Sequence, residues 1–424
     1  MFSRTFPRVG NRISRLIQAQ HHPQIQTFAK LPLRARIPVQ QCTKKREGST
    51  LASAKKLYQE NPFAFPLAVA CILVGMGGFL YLPYYYQTYI VAPYHNFPEP
   101  VAKKLRRAIF YSSGRNMDVR EANKYFRQGL QIADEMGMDP FSDEIIGVKI
   151  SIAAMFERAQ HYKVAIDVLE IIRRDCFRWV EELGDKHWND GKRTRVLAKT
   201  VALNVKLGEL YGNQYVANRD AAEERLVEAV ETVLKEKQRR EQDGVQPGEG
   251  DWLSDEEAGA SLESLGHHYE EKNLHYLATP LFLQALSLCP PKSCHSVILM
   301  NNLSISLAQQ KPPPLSSSPP TPSSFPNTPS PSPGILTDQA RQWASKALTL
   351  AASIAPPNRT EECDVGCAVA THNLGEFAEL DENIQEARRR YEEAAALAKA
   401  IGFPEGVANA KKGLKRLSKI ENGR

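Results

Sequence analysis

Two clusters of reactive side chains stand out in this sequence. His267, His268, Glu270 and Glu271 fall within five positions, and imidazole beside carboxylate can ligate zinc or pass a proton. Cys289 and Cys294 flank a Pro-Pro pair, and Cys363 and Cys367 stand one helical turn apart. Paired thiols can bridge, and four together can hold zinc. Neither cluster comes with a catalytic signature: the chain has no GxGxxG, Walker loop, HExxH or GxSxG. His267 and Glu270 are therefore expected on the solvated face of a structural helix. For the cysteines, free thiols are the first expectation and a Cys363–Cys367 or cross-repeat disulfide the second. A four-thiolate zinc site would need both pairs to converge, for which the sequence gives no warrant. No catalytic residue, metal or other cofactor is expected, and the chain reads as a non-enzyme.

The elements that carry these residues repeat. Leu262-x2-Leu265-Gly266-x2-Tyr269 leads to Ala278-x3-Phe282-x2-Ala285-x4-Pro290, the tetratricopeptide pattern with Leu262 in the usual Trp slot. The spacing puts small Gly266 and Ala278 where two antiparallel helices come closest. Tyr269 and Phe282 fill the gaps beside them, and Pro290 stops the second helix. Weaker copies surround Ile152, Leu207, Leu303 and Leu374, and a degenerate first copy runs Ala122-x3-Phe126-x2-Gly129. These give about six helix pairs, with a polar-faced cap over Glu405–Ile420.

The copies are spaced wider than the ideal ~34 residues, so loops are inserted between them. Arg173–Arg195 is expected to add a helical turn or lengthen a hairpin. Glu241–Glu257, acidic and rich in glycine, is expected to be a mobile loop. Lys311–Gly334, with ten prolines, is expected to be solvated, polyproline-like and passive.

Stacked helix pairs bind partners on the concave face built from the first helix of each pair. Around the Leu-Gly landmarks that face is expected to expose Lys206, Glu209, Glu263, His267, Glu270, Asn301, Asn302, Ile305, His372, Asn373 and Glu376. Amides, carboxylates and apolar groups together suit extended, loosely specified segments. A clamp for a terminal carboxylate is disfavoured, because Ile150, Ala154, Ala202 and Val205 fill its positions.

The N-terminal part carries no repeat. Residues 1–46 hold ten Lys/Arg and no Asp/Glu, with Arg4, Arg8, Arg12 and Arg15 one turn apart, as in a mitochondrial transit peptide. The whole chain has 54 basic and 48 acidic residues, so the rest is slightly acidic, which argues against broad nucleic-acid binding. Phe63–Leu82 is uncharged and long enough to cross one hydrocarbon core. Tyr81, Tyr84, Tyr85, Tyr86 and Tyr89 follow as an interfacial belt. Lys44, Lys45, Arg46, Lys55 and Lys56 precede it, whereas residues 83–100 have no Lys or Arg. The positive-inside rule then puts the N-terminus in the matrix and the repeats in the intermembrane space.

The expected fold is thus all-α: a single transmembrane helix followed by a tetratricopeptide-like α-solenoid with long inserted loops. Its segments are a transit and basic matrix region (1–60), the span (63–82), repeats (99–310), the Pro-rich insertion (311–334), and further repeats with a cap (335–420).

This layout resembles the Mgr-type tetratricopeptide subunit of the fungal mitochondrial i-AAA protease complex. The likeness covers the leader, the span, the following YLPYYYQTYIVAPYHNFPEPVAKKLRRAI and the divergent repeats to residue 420. It implies a non-catalytic inner-membrane adaptor that binds unfolded or membrane proteins and delivers them to the protease. The implied partners are the i-AAA protease and its membrane subunits, misfolded clients and inner-membrane lipid. The resemblance supplies no catalytic residues. A scaffold or receptor for protein import or inner-membrane complex assembly is the runner-up.

Overall fold

The computed structural model describes residues 58–86, 88, 96–114, 117–310 and 333–422. The basic leader, and the Pro-rich insertion up to residue 332, lie outside the described residues. The described elements are helical, with no strand among them.

Helix α1 (Ala64–Tyr85) buries no residue against protein. Among the described residues it is the one helix long and apolar enough to cross a membrane. It runs past the expected end at Leu82 and through Pro83. The Tyr81 ring packs 6.0 Å from Tyr84 and 6.1 Å from Tyr85, contacts that an α-helical continuation makes at i+3 and i+4. Helices α2 (Glu99–Ser112) and α3 (Val119–Glu135) pair as an antiparallel hairpin. Leu105 packs on Gly129, where an added Cβ would meet it at 3.1 Å, and Lys104 donates to Gln128 at 2.8 Å.

A second compact unit begins at Asp139. It holds the helix pairs α4 (Asp143–Arg158) and α5 (Tyr162–Leu183), α6 (Lys192–Gly212) and α7 (Arg219–Asp243), and α8 (Asp255–Glu271) and α9 (His275–Leu288). The pairs α10 (Cys294–Ala308) and α11 (Pro333–Ser353), then α12 (Glu361–Leu380) and α13 (Ile384–Ala400), follow. Helix α14 (Pro404–Asn422) closes the stack.

Local sequence sets these boundaries. Ser142, Asn218, Ser254, Ser293 and Asn383 each accept a backbone N–H from the first turn of their helix, and Ser254 with Glu257 forms a full capping box. The same left-handed stop closes three first helices, at Gln160, Asn273 and Glu382. After each stop the next N–H reaches back to the helix, as His161 to Phe156, Leu274 to Tyr269 and Asn383 to Ala378. Within a pair the landmark glycine admits a large side chain from the facing helix. An added Cβ would stand 2.5 Å from Leu226 at Gly208, 2.8 Å from the Phe282 ring at Gly266 and 3.0 Å from the Tyr391 ring at Gly375. Such overlap costs about 1–3 kcal/mol when the neighbour cannot move.

The second insertion is not the mobile loop expected of Glu241–Glu257. Helix α7 runs to Asp243, and the loop beyond it packs on the first insertion, which is a longer α5 ending in a 3-10 turn (Gly184–Lys186). Gly248, at φ +81, lies so close to Asn189 that an added Cβ would meet its carbonyl oxygen at 2.3 Å. Glu249 is fully buried and pairs with Arg239, and with Arg240 at 3.0 Å. Glu236 takes Arg240 at 3.1 Å, Arg239 at 2.6 Å and Arg193 at 3.3 Å. Trp188 lies under two of these guanidinium groups, 4.0 Å from Arg193 and 4.7 Å from Arg239. Burial raises the Glu236 carboxyl, but hydrogen bonds from Arg239 and Arg240 outweigh it and hold it below the ordinary value. A composition that looks solvated is thus tied down, because each insertion pairs its charge with α7 and their backbones meet at Gly248 and Asn189.

Candidate functional site

The first helices of the pairs carry an apolar stripe into their hairpin and a polar stripe beside it. On α8, Leu262 and Leu265 face the hairpin, and Glu263, His267 and Glu270 follow at i, i+4 and i+7 on the other stripe. The polar stripe meets α10. His295 lies 3.0 Å from Glu263, and His267 lies 3.4 Å from Glu263 and 3.2 Å from Glu270. Burial alone would keep His267 neutral. Its hydrogen bonds to Glu263 and Glu270 win, and its pKa rises to about 10. Burial would likewise protonate Glu263, but hydrogen bonds from His267 and His295 bring it down to about 2. Asn302 faces the same ring, 3.4 Å from Nε2. With the ring charged, both nitrogens donate, so the amide oxygen of Asn302 is the atom that can accept.

The stripe continues along the stack. Lys206 on α6 reaches Glu157 on α4 at 2.9 Å and Glu209 at 3.5 Å. Burial opposes the Lys206 charge, yet the two carboxylates raise its pKa. Asn301 donates to the Gly366 carbonyl of α12 at 2.9 Å. His372 and Glu376 stand 3.7 Å apart, and Arg416 of α14 closes the row on Glu379 at 2.8 Å.

This geometry corrects the expected exposure. Glu263, Glu270, Asn301, Asn302, Ile305, His372 and Asn373 are buried, and Lys206, Glu209, His267 and Glu376 are half-buried. The physical reason is that neighbouring first helices pack side by side and spend their polar groups on one another. Only the half-buried members still offer polar atoms to solvent. The structure gathers Glu263, His267, Glu270 and Asn302 at one junction, and places Lys206 with Glu209, and His372 with Glu376, at others. The sequence reading missed Glu157, His295 and Arg416, each of which pairs across to a neighbouring first helix.

The cysteine pairing is also corrected. Cys294 and Cys363 are not the free thiols first expected, and the disulfide that joins them is the cross-repeat alternative, not Cys363–Cys367. Both bridged residues stand in the first turn of their helices, α10 and α12, with Cα atoms 4.7 Å apart. Cys367 is a half-buried free thiol one turn further on. Burial pushes its pKa up, against the opposing Arg359. A cysteine in the first turn of each of two successive first helices was the available signal. Among the described residues no group of three or more His, Cys, Asp or Glu side chains could hold a metal ion.

Repeating helix pairs, a recurrent left-handed stop and a glycine under each large facing side chain define the architecture. The chain folds as a tetratricopeptide-like α-solenoid. It is 26% identical over 330 residues to a TPR repeat-containing protein of Schizosaccharomyces pombe, a match covering 76% of this chain and 80% of that one. A Saccharomyces cerevisiae protein named MRG3-like is 24% identical over 119 residues, which is 28% of this chain and 25% of that protein. Among solved structures, BtubC from P. vanneervenii aligns with a TM-score of 0.44 at 12% identity, covering 72% of this chain and 93% of its own. A kinesin light chain with TPR-like repeats from Podosopora anserina aligns at 0.38 and 14% identity, covering 59% and 94%. No family model matches the sequence. A tetratricopeptide solenoid is a protein-interaction scaffold.

Proposed function

We propose that the protein is a non-catalytic, membrane-anchored adaptor of the mitochondrial inner membrane. It binds unfolded or membrane proteins through its repeats and delivers them to the i-AAA protease for degradation. The observation that carries this reading is the union in one chain of a span-length apolar helix and a protein-binding solenoid whose repeats are bridged by a disulfide. Disulfides persist in oxidising compartments, which supports repeats that face the intermembrane space. The half-buried Lys206, Glu209, His267 and Glu376 are the polar groups through which an extended client would be held. The resemblance to the Mgr-type subunit supplies the protease as partner.

The test is a mild-detergent pull-down of the tagged protein from mitochondria, read by mass spectrometry. Recovery of an AAA protease with its membrane subunits is the expected result. Recovery of translocase or respiratory-assembly subunits without a protease would move the function to import or complex assembly.

A further inference from the structure

We infer that the outward face of the α2–α3 hairpin lies on the anionic lipid headgroups of the membrane that α1 crosses. The inference rests on α1 as a span and adds a second, electrostatic contact with the same bilayer.

The hairpin is built with one basic side. On α2, exposed Lys103, Arg107 and Phe110 follow at i, i+4 and i+7, opposite buried Val101, Ala102, Leu105 and Ala108. On α3, exposed Arg120, Lys124 and Arg127 repeat that spacing, opposite buried Ala122, Phe126, Gly129 and Ala133. Between the two rows the Tyr111 and Tyr125 rings stack at 5.8 Å, and Phe110 packs edge-on against Tyr111 at 5.2 Å. Arg107 and Lys124 lie over the Tyr125 ring at 5.7 and 5.5 Å. Of the hairpin's carboxylates Glu99 pairs with Arg106 and Glu121 with Lys124, while Asp134 and Glu135 stand at the far end of α3, beyond the basic row. Among the described residues Lys103, Arg107 and Arg127 have no carboxylate partner. Residues 103–127 hold eight Lys/Arg and two Asp/Glu, in a chain that is slightly acidic beyond residue 46.

Cations around amphipathic rings match a headgroup layer, where the rings enter the interface and the charges meet phosphate. The attraction fades beyond a Debye length of ~10 Å, so a face must be held near the surface to feel it. The chain keeps the face close to the surface, because residues 86–98 confine the hairpin to within ~45 Å of the end of α1, so it meets the headgroups repeatedly and the charge attraction can then hold it there. Charge, ring chemistry and tether together select the bilayer over a partner that must diffuse in.

The full chain in nanodiscs tests this, with phosphatidylcholine alone or with added phosphatidylglycerol. Amine footprinting by mass spectrometry reads Lys103 and Lys124, with exposed Lys411 and Lys412 of α14 as reference. Labelling of Lys103 and Lys124 is expected to slow at least fivefold in the anionic discs, since each basic residue near such a surface contributes roughly fivefold. High salt, or the surface double variant Arg107→Glu/Arg127→Glu, should remove that protection. Equal labelling in both discs overturns the inference, as does protection seen only when an acidic protein or polyanion is added. Release of the chain by alkaline carbonate would overturn the span itself, and this inference with it. Retention in the membrane with unprotected lysines overturns this inference alone.

Discussion

Two centres in the solenoid bury carboxylates, and they use different cations. At the α8–α10 junction Glu263 and Glu270 sit among His267, His295 and Asn302. At the joined insertions Glu236 and Glu249 sit among Arg193, Arg239 and Arg240. Imidazole titrates within reach of ordinary buffers, whereas guanidinium does not. The first centre joins neighbouring repeats and the second ties down loops. The polar link between repeats is therefore the one of the two whose strength falls on the alkaline side.

The largest difference should come from removing one partner of each centre. Glu263→Ala leaves His295 without the carboxylate it meets at 3.0 Å and His267 with Glu270 alone, and should cost about 3–5 kcal/mol in urea unfolding. Glu249→Ala leaves guanidinium groups that retain Glu236 and some solvent, so the loss should be nearer 1–2 kcal/mol. Equal losses would erase the distinction between the centres.

Gly248→Ala attacks the second centre through its backbone. The left-handed φ and the clash with Asn189 should cost about 1–3 kcal/mol and raise hydrogen exchange in residues 186–191 and 244–252. Exchange unchanged in both loops would show that they do not depend on one another.

The disulfide offers a third handle. Cys363→Ser opens a bridge between residues 69 apart and should lower stability by about 2–4 kcal/mol, with mass spectrometry showing one additional free thiol at Cys294. Free thiols at both positions in the native protein from mitochondria would remove the disulfide argument for compartment.

The smallest effect is pH dependence. His267 has a raised folded pKa, so its contribution is fully present below about 6.5 and fades as pH rises through about 10. Glu263 has a depressed one, so its contribution is present above about 4.5 and fades as pH falls through about 2. Glu236 is also depressed and fails only on the acid side. Melting temperature should therefore fall between neutral pH and pH 10, and a His267→Asn chain should lack that component. The same alkaline fall in both chains would place the titrating group elsewhere.

Much of the fold was legible because its causes are local. The Leu-Gly landmarks, the capping Ser and Asn residues and Pro290 act within one hairpin, so spacing along the chain reports them. Phe63–Leu82 was legible for the same reason, since crossing a bilayer depends on run length and charge alone. The candidate site was legible only as a stripe. Glu263 falls on the polar stripe of α8 in any case. Its exposure depends on whether His295 of a later repeat comes to meet it. Likewise a Gly-rich acidic stretch reads as loose until Arg239 and Arg240 are seen across from Glu249.

The sequence by itself determined that the chain is helical, repetitive and equipped with one span-length apolar helix, because periodicity and composition are properties of short windows. The tertiary structure decided which cysteines bridge, which insertion is held, and that the inner polar row is spent between repeats. Those outcomes depend on pairings between residues tens of positions apart, such as Cys294 with Cys363 and Arg193 with Glu236. No local pattern encodes such a distance. It is set by how the helices stack and by the need of each buried charge for a partner.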